Sequence, residues 1–455
     1  RSDPVEKKDY YPMSSAQKRM YILQVINPGS ISYNMPLFTV LEGPLEKERL
    51  ENAFRELIHR HESLRTSFHL VENKPVQRVW ANVNFEVEYC EGSGVTEIIK
   101  DFVKPFDMSQ APFLRVELIN TGEESHILLV DMHHAISDGK SLRIFLAELL
   151  SLYQGKKLPE LRLQYRDFSE WLEKSAFSSE LRKHEAYWLS RFAGDLPVLK
   201  LPTDYPLPEV KSFAGALVTF EIHRDTAKKL RMLAQKEEAT MFMVVLAIFN
   251  ILLFKLSRQE DIIVGTLTAG RSHPDLEYII GMFVNTLVLR NQPGDDKNFI
   301  EFLEEVKKRT LEAFDHQDYP FDDLVEKLGV KRDAGKNPLF DVLFLFDSSN
   351  ATNEYKIEVP GLKISPYEEG NFQVKFDLLF TGKDNGEDSN LFFTVKYSAE
   401  LFKKETIERF ISYFNEIISA IEKNEFTALI DIGIAHGLAA VASDLKIREE
   451  SGFDF

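Results

Sequence analysis

The stretch Met132–Ser141, MHHAISDGKS, holds two adjacent histidines, an aspartate four residues after the second, and a glycine beside it. It ends the run HILLVDMHH, whose continuous apolar residues predict a strand buried on both faces. Successive side chains of a strand point to opposite faces, so in an extended strand His133 and His134 cannot both line one small site. This argues against a metal centre, and neither an HExxH pair nor a cysteine cluster supports one. The geometry suits a general base instead, with one histidine facing a cavity and the other packed into the fold. Asp138 is placed to pair with an arginine, and Gly139 to let the chain turn tightly before a helix starting near Ser141. Backbone N–H groups at that helix start are candidates for stabilising a developing oxyanion. The segment alone is equally compatible with two satisfied histidines above a turn.

Working outward, 455 residues exceed the size at which one hydrophobic core keeps growing, so two lobes are expected. A 44% hydrophobic and 28% charged composition is that of a globular protein. The net charge of -17 argues against nucleic acid and against an anionic membrane surface as partners. Cys90 is the only cysteine, which rules out an intrachain disulfide and fits a reducing, cytoplasmic setting. It ends the strand-like NFEVEYC and reads as a structural edge residue. No secretory leader is recognisable at the start of the sequence. The longest apolar stretch, MFMVVLAIFNILLF at 241–254, is short for a membrane span and reads as a buried helix.

Residues 1–12 read as a linker, followed by a helix capped by Ser14 or Ser15 with Met20, Leu23 and Ile26 on its apolar side. Leu45, Leu50, Phe54, Leu57 and Ile58 recur at helical spacing, as do Leu142, Phe145, Leu146, Leu149 and Tyr153. The proline-rich 196–210 stretch reads as a connection between lobes. Helices alternate with strands on both sides of it, so the class is α/β. The division is expected at 13–180 for an N-terminal lobe and 181–430 for a C-terminal lobe, with an atypical tail at 431–455.

Seven ordered motifs carry a family resemblance: SSAQKRMYIL (14–23), RHESLRTSF (60–68), MHHAISDGKS (132–141), YRDFSEWL (165–172), IGMFVNTLVLR (280–290), HQDYPFDDL (316–324) and RDAGKNPLFD (332–341). Together they resemble a condensation domain of nonribosomal peptide synthetases, in the chloramphenicol acetyltransferase-like superfamily. The resemblance implies two such lobes in a V-shaped pseudo-dimer with an active-site tunnel between them. It makes His134 the active histidine, with His133 and Gly139 in support. Asp138 is then structural and held by an arginine, with Arg271 and then Arg65 as candidates, and Asn285 lies near the tunnel. The implied reaction is amide formation between a donor thioester and the amine of an acceptor thioester. Both ride on phosphopantetheine arms of peptidyl carrier domains, beside an adenylation domain, and the monomeric domain itself binds no cofactor and no metal. YPMSSAQKRMYIL and YNMP resemble the subtype joining an L-configured donor to an L-configured acceptor. Lys140 and the pair Gly335-Lys336 depart from the usual pattern. Phe168 and Trp171 read as core packing, and Ser141 as a helix cap. The competing functions are a related acyltransferase using coenzyme A or a free acceptor, and a non-catalytic platform that recruits partner enzymes.

Overall fold

The computed structural model describes residues 3–92, 94–208, 214–330, 337–348, 358–367 and 372–434. Gly335 and Lys336, and the tail from residue 435 onward, lie outside the described residues.

Two large sheets, each backed by helices, organise the chain, and a small third one of order Tyr11–Pro12, Lys74–Val79, Thr66–Val71 pairs the end of the expected 1–12 linker into the fold. The first has the strand order Lys363–Pro366, Asn34–Glu42, Ser125–His133, Leu114–Gly122, Glu88–Glu91. Ser125–His133 is central and antiparallel to both neighbours. Its burial along nearly the whole length explains why its sequence shows no polar alternation. Helices Lys47–Arg60 and Gly139–Tyr153 cover this sheet, with the Phe54 and Phe145 rings 6.0 Å apart between them.

The second sheet runs Asn285–Asn291, Ile262–Thr268, Val342–Asp347, Leu378–Asp384, Leu391–Ser398, Ala214–Ile222, Phe372–Gln373. Its core is built on helix Met241–Ser257, buried from Met243 through Phe254. A helix apolar all round has no solvent face, and each fully buried Leu, Ile or Phe contributes about 1.5–3 kcal/mol. Among the described residues no single helix is long and apolar enough to cross a membrane. Helix Ser179–Arg191 belongs to this second core through Trp188.

Two segments cross from the second half of the chain into the first lobe. Strand Lys363–Pro366 extends the first sheet at its edge. The 269–284 connection, between two strands of the second sheet, buries Leu276, Ile279, Ile280, Met282 and Phe283 in the first lobe's core. Gly270 starts this crossover at φ +63°, where any Cβ would lie 1.8 Å from the Phe283 carbonyl oxygen. A split at one sequence position therefore does not separate the two cores.

At the N-terminus, Ser14 caps helix Ser15–Ile26 and exchanges hydrogen bonds with Gln17. The buried side of this helix is Gln17, Met20 and Gln24, whereas Ile22, Val25 and Ile26 are exposed. Ile26, expected on the buried side, is 74% exposed. Apolar periodicity identified the helix but not the face that packs, because Gln17 and Gln24 are buried to serve backbone carbonyls of Ala135, Pro28 and Ser30.

Candidate active site

The strand ends at His133, and His134 opens a single 3-10 turn, His134–Ile136. The two rings diverge. His133 is fully buried among Phe106, Phe113 and Tyr33, and its Nδ1 accepts the Ala135 N–H at 3.0 Å. Burial, helped by the charges of His134 and Lys375, pushes its pKa down to about 3, so it is a neutral structural ring.

His134 is held differently. Its backbone N–H donates to the Tyr33 carbonyl at 2.8 Å, and its Nδ1 lies 2.8 Å from the Ser137 carbonyl. A carbonyl only accepts, so Nδ1 carries the proton and Nε2 keeps its lone pair. Among the described residues Nε2 has no hydrogen-bond partner. Burial first, then the charge of Lys375, lowers the His134 pKa below the ordinary imidazole value. A neutral imidazole of fixed tautomer with a free lone pair has the form a proton acceptor needs.

Asp138 caps helix Gly139–Tyr153, and both its oxygens are engaged. Oδ1 accepts the Ser141 N–H at 2.8 Å. Oδ2 accepts the Phe283 and Val284 N–H groups at 3.0 and 3.2 Å. Arg271 approaches both oxygens, at 3.1 and 3.3 Å, with the two side chains essentially buried. Arg271 also donates to Ser141 Oγ and the Ile279 carbonyl, and its guanidinium lies 4.3 Å from the Phe283 ring centroid. Asp138 is thus a clamp on the 269–284 crossover. The Ser141 N–H is taken by the cap and is not free for an oxyanion, which removes that one of the helix-start N–H groups expected as donors.

Ser141 is likewise not the cap. Its hydroxyl donates to the Gly281 carbonyl and accepts the Gly281 N–H, at 2.9 and 3.1 Å. Arg65, the second candidate for Asp138, does not reach it. Its guanidinium donates instead to the carbonyls of Ile58, His59 and Trp80, bracing the end of helix Lys47–Arg60. Gly139 is the first helical residue, and a Cβ there would meet nothing within 4 Å. Neither a left-handed turn nor close packing explains this glycine, contrary to the tight turn expected of it.

Asn285 ties the start of its strand to the HQDYPFDDL turn. Its Nδ2 donates to the Gln317 and Tyr319 carbonyls, and its Oδ1 accepts the Phe321 N–H. It also lines a cavity of about 480 Å³ between the lobes. Helix Ser15–Ile26, Phe168, Trp171 and the 317–323 turn form the other walls. Trp171 is 44% exposed and lines this cavity rather than the core. His134 is not on the cavity surface, but the Met282–Asn285 wall includes the two N–H groups that Asp138 holds. Lys140 forms an ion pair with Glu277 of the crossover. Cys90 is inert, its thiol pushed up to about 11 by burial and by Glu117. Among the described residues no group of three or more His, Cys, Asp or Glu is placed to hold a metal.

The sequence motifs meet around this point. Gln17 donates to the Ala135 carbonyl, Ser63 to Ile280 and Tyr165 to Met282. A sequence model of the condensation domain matches residues 7–433. The chain belongs to the condensation domain family.

This condensation domain is 48% identical over 434 residues to tyrocidine synthase 3 of Brevibacillus parabrevis, covering 94% of this chain and 7% of that protein. It is 47% identical to gramicidin S synthase 2 of Brevibacillus brevis, covering 95% and 10%. It therefore spans a tenth or less of these relatives' own length. In three dimensions it is similar to the X-domain in a complex with OxyB from teicoplanin biosynthesis, with TM-score 0.87 and 22% identity over 96% of this chain and 98% of that one. Two residues of the condensation-domain site carry no motif signal. Lys375, in VKFDL, is an isolated lysine in a strand-like run, and Tyr33, in YNMP, reads from sequence only as a subtype marker.

Proposed function

We propose that this domain forms a peptide bond between a donor aminoacyl or peptidyl thioester and the amine of an acceptor aminoacyl thioester. Both substrates arrive on phosphopantetheine arms of carrier domains within a larger cytoplasmic synthetase, next to an adenylation domain. The observation that carries the reading is His134, a neutral imidazole with Nδ1–H on the Ser137 carbonyl and, among the described residues, no partner on Nε2. The acceptor nitrogen attacks the donor carbonyl, the C–N bond forms and the C–S bond breaks. The ammonium proton of the tetrahedral intermediate passes to Nε2 and then to the departing thiolate. An α-amino group with a pKa of about 7.7–8.0 is already partly neutral near pH 7, so orienting it contributes alongside proton removal. No cofactor is needed for this chemistry. The acceptor carrier is assigned to the exposed Ile22, Val25 and Ile26 face, because Ile22 continues into the lining of the 480 Å³ cavity. An L-donor and L-acceptor pairing is the subtype we infer from the YNMP and SSAQKRM segments.

The test is mass spectrometry of carrier pairs loaded with a panel of aminoacyl groups, with the native domain and with His134→Ala. Dipeptide on the acceptor carrier, absent in the variant, is expected. Product formed equally well from coenzyme A thioesters or free amines, without carriers, sinks the reading. So does tight carrier binding with no product from any loaded pair.

A further inference from the structure

The active histidine belongs to the first lobe, yet a cation that acts on it comes from the second. Lys375 precedes strand Leu378–Asp384, and its backbone is pinned on both sides. Asn337 Nδ2 donates to the Lys375 carbonyl at 2.8 Å, and the Asn337 N–H donates to Asp341 Oδ1 at 3.2 Å. The Asp377 N–H donates to the Asp341 carbonyl, and Phe376 stacks on Phe340. Asn337, Phe340 and Asp341 lie in the described part of the RDAGKNPLFD motif, residues 337–341, and Phe340 also packs on Phe321 at the turn that Asn285 holds. The motif thus fixes where the Lys375 side chain starts.

From there the side chain crosses to the first lobe, where Nζ lies 4.6 Å from the centroid of the Tyr33 ring. Tyr33 is the residue whose carbonyl receives the His134 N–H. Among the described residues Nζ has no hydrogen bond and no carboxylate partner. A half-buried ammonium lying against an aromatic face and lacking an anion is costly, and such arrangements occur where the charge acts on something else.

We propose that Lys375 is a positioning residue for the condensation reaction, a positive charge that reaches across the lobes onto the Tyr33 ring, beside the backbone that holds His134, and adds to burial in keeping Nε2 ready to accept from the acceptor amine. The charged and titratable groups acting on His134 are Lys375 and Asp138, with His133 adjacent, and Lys375 is itself faced by Arg19. Asp138 opposes protonation control by favouring the imidazolium, but its charge is shared with Arg271. Burial and Arg19 pull Lys375 down to about 8, so it keeps its charge over most molecules at pH 7. The sign follows: a cation near His134 destabilises the imidazolium, and removing it raises the histidine's affinity for a proton.

The proposal rests on the condensation reading for its consequence but not for its first measurement. In the free domain carrying labelled histidine, the His134 resonance, assigned by its loss in His134→Ala, is titrated by NMR. Lys375→Met is expected to move the titration to higher pH, Asn337→Ala to move it the same way by less, and Lys375→Arg to restore the native position. With loaded carriers, the acid limb of the Lys375→Met rate profile moves to higher pH. Its kcat at pH 6.5 falls about ten-fold with KM for carriers unchanged, and Lys375→Arg recovers it. A His134 titration that stays at its native position in folded Lys375→Met and Asn337→Ala overturns the proposal. A shifted titration in a domain that condenses no loaded pair overturns the condensation reading instead, and leaves the electrostatic contact standing.

Discussion

Asp138 and His134 sit four residues apart and are treated by the fold in opposite ways. Asp138 is a full charge with every oxygen occupied: a helix N–H, two crossover N–H groups and the Arg271 guanidinium. His134 has one nitrogen fixed on the Ser137 carbonyl and the other without a partner among the described residues. Among the described residues the Lys375 ammonium is left without an anion as well. A saturated polar node stabilises one geometry, because a missing partner would leave a buried charge exposed to low dielectric. An unsaturated one is available for chemistry. The difference separates the residue that builds the site from the residue proposed to work in it.

The sharpest break is His134→Ala. Dipeptide formation should fall by about 10²–10⁴-fold while thermal unfolding and far-UV circular dichroism stay native. Near-native turnover would place the chemistry elsewhere. Asp138→Ala tests the other side. Leaving Arg271 buried without its carboxylate should cost about 3–5 kcal/mol in denaturant unfolding. If the variant is as stable as the native domain but inactive, Asp138 acts on substrate and the contrast fails. Arg65→Ala should cost about 1–3 kcal/mol through its lost carbonyl contacts, with turnover per folded molecule retained. A selective loss of turnover there would return Arg65 to the site. Gly139→Ala should be the smallest, neutral or stabilising by up to about 1 kcal/mol, because the added Cβ meets open space.

Several of these residues were legible before any coordinates. The divergence of the two histidines was expected from strand alternation, but the strand ends at His133 and the 3-10 turn from His134 separates the rings, whereas the lobes' α/β character follows from helix and strand spacing. Arg271 stood first among candidates for Asp138 only through family resemblance, since 133 residues separate the two and no periodicity links them. Ser141 and Gly139 were misread because local rules assign a serine near a helix start to the cap and a glycine to the turn. Asp138 had already taken the cap, which freed Ser141 for the crossover. Ile26 was misread because a helical stripe identifies an apolar face without saying whether anything packs on it.

By itself, the sequence determined what propensity and pattern encode within a few turns of chain: the strand into His133, the helix after Asp138, and the capped helix from Ser14. It also determined the family, through seven motifs in order. Only the tertiary structure decided that the 269–284 segment leaves its own sheet to be gripped by Asp138, that Arg65 braces a helix end, and that Lys375 reaches the Tyr33 ring from the other lobe. These contacts join residues far apart in the chain, and their energies depend on burial and on which partner arrives first at a polar atom. Neither quantity is a property of a local stretch of sequence.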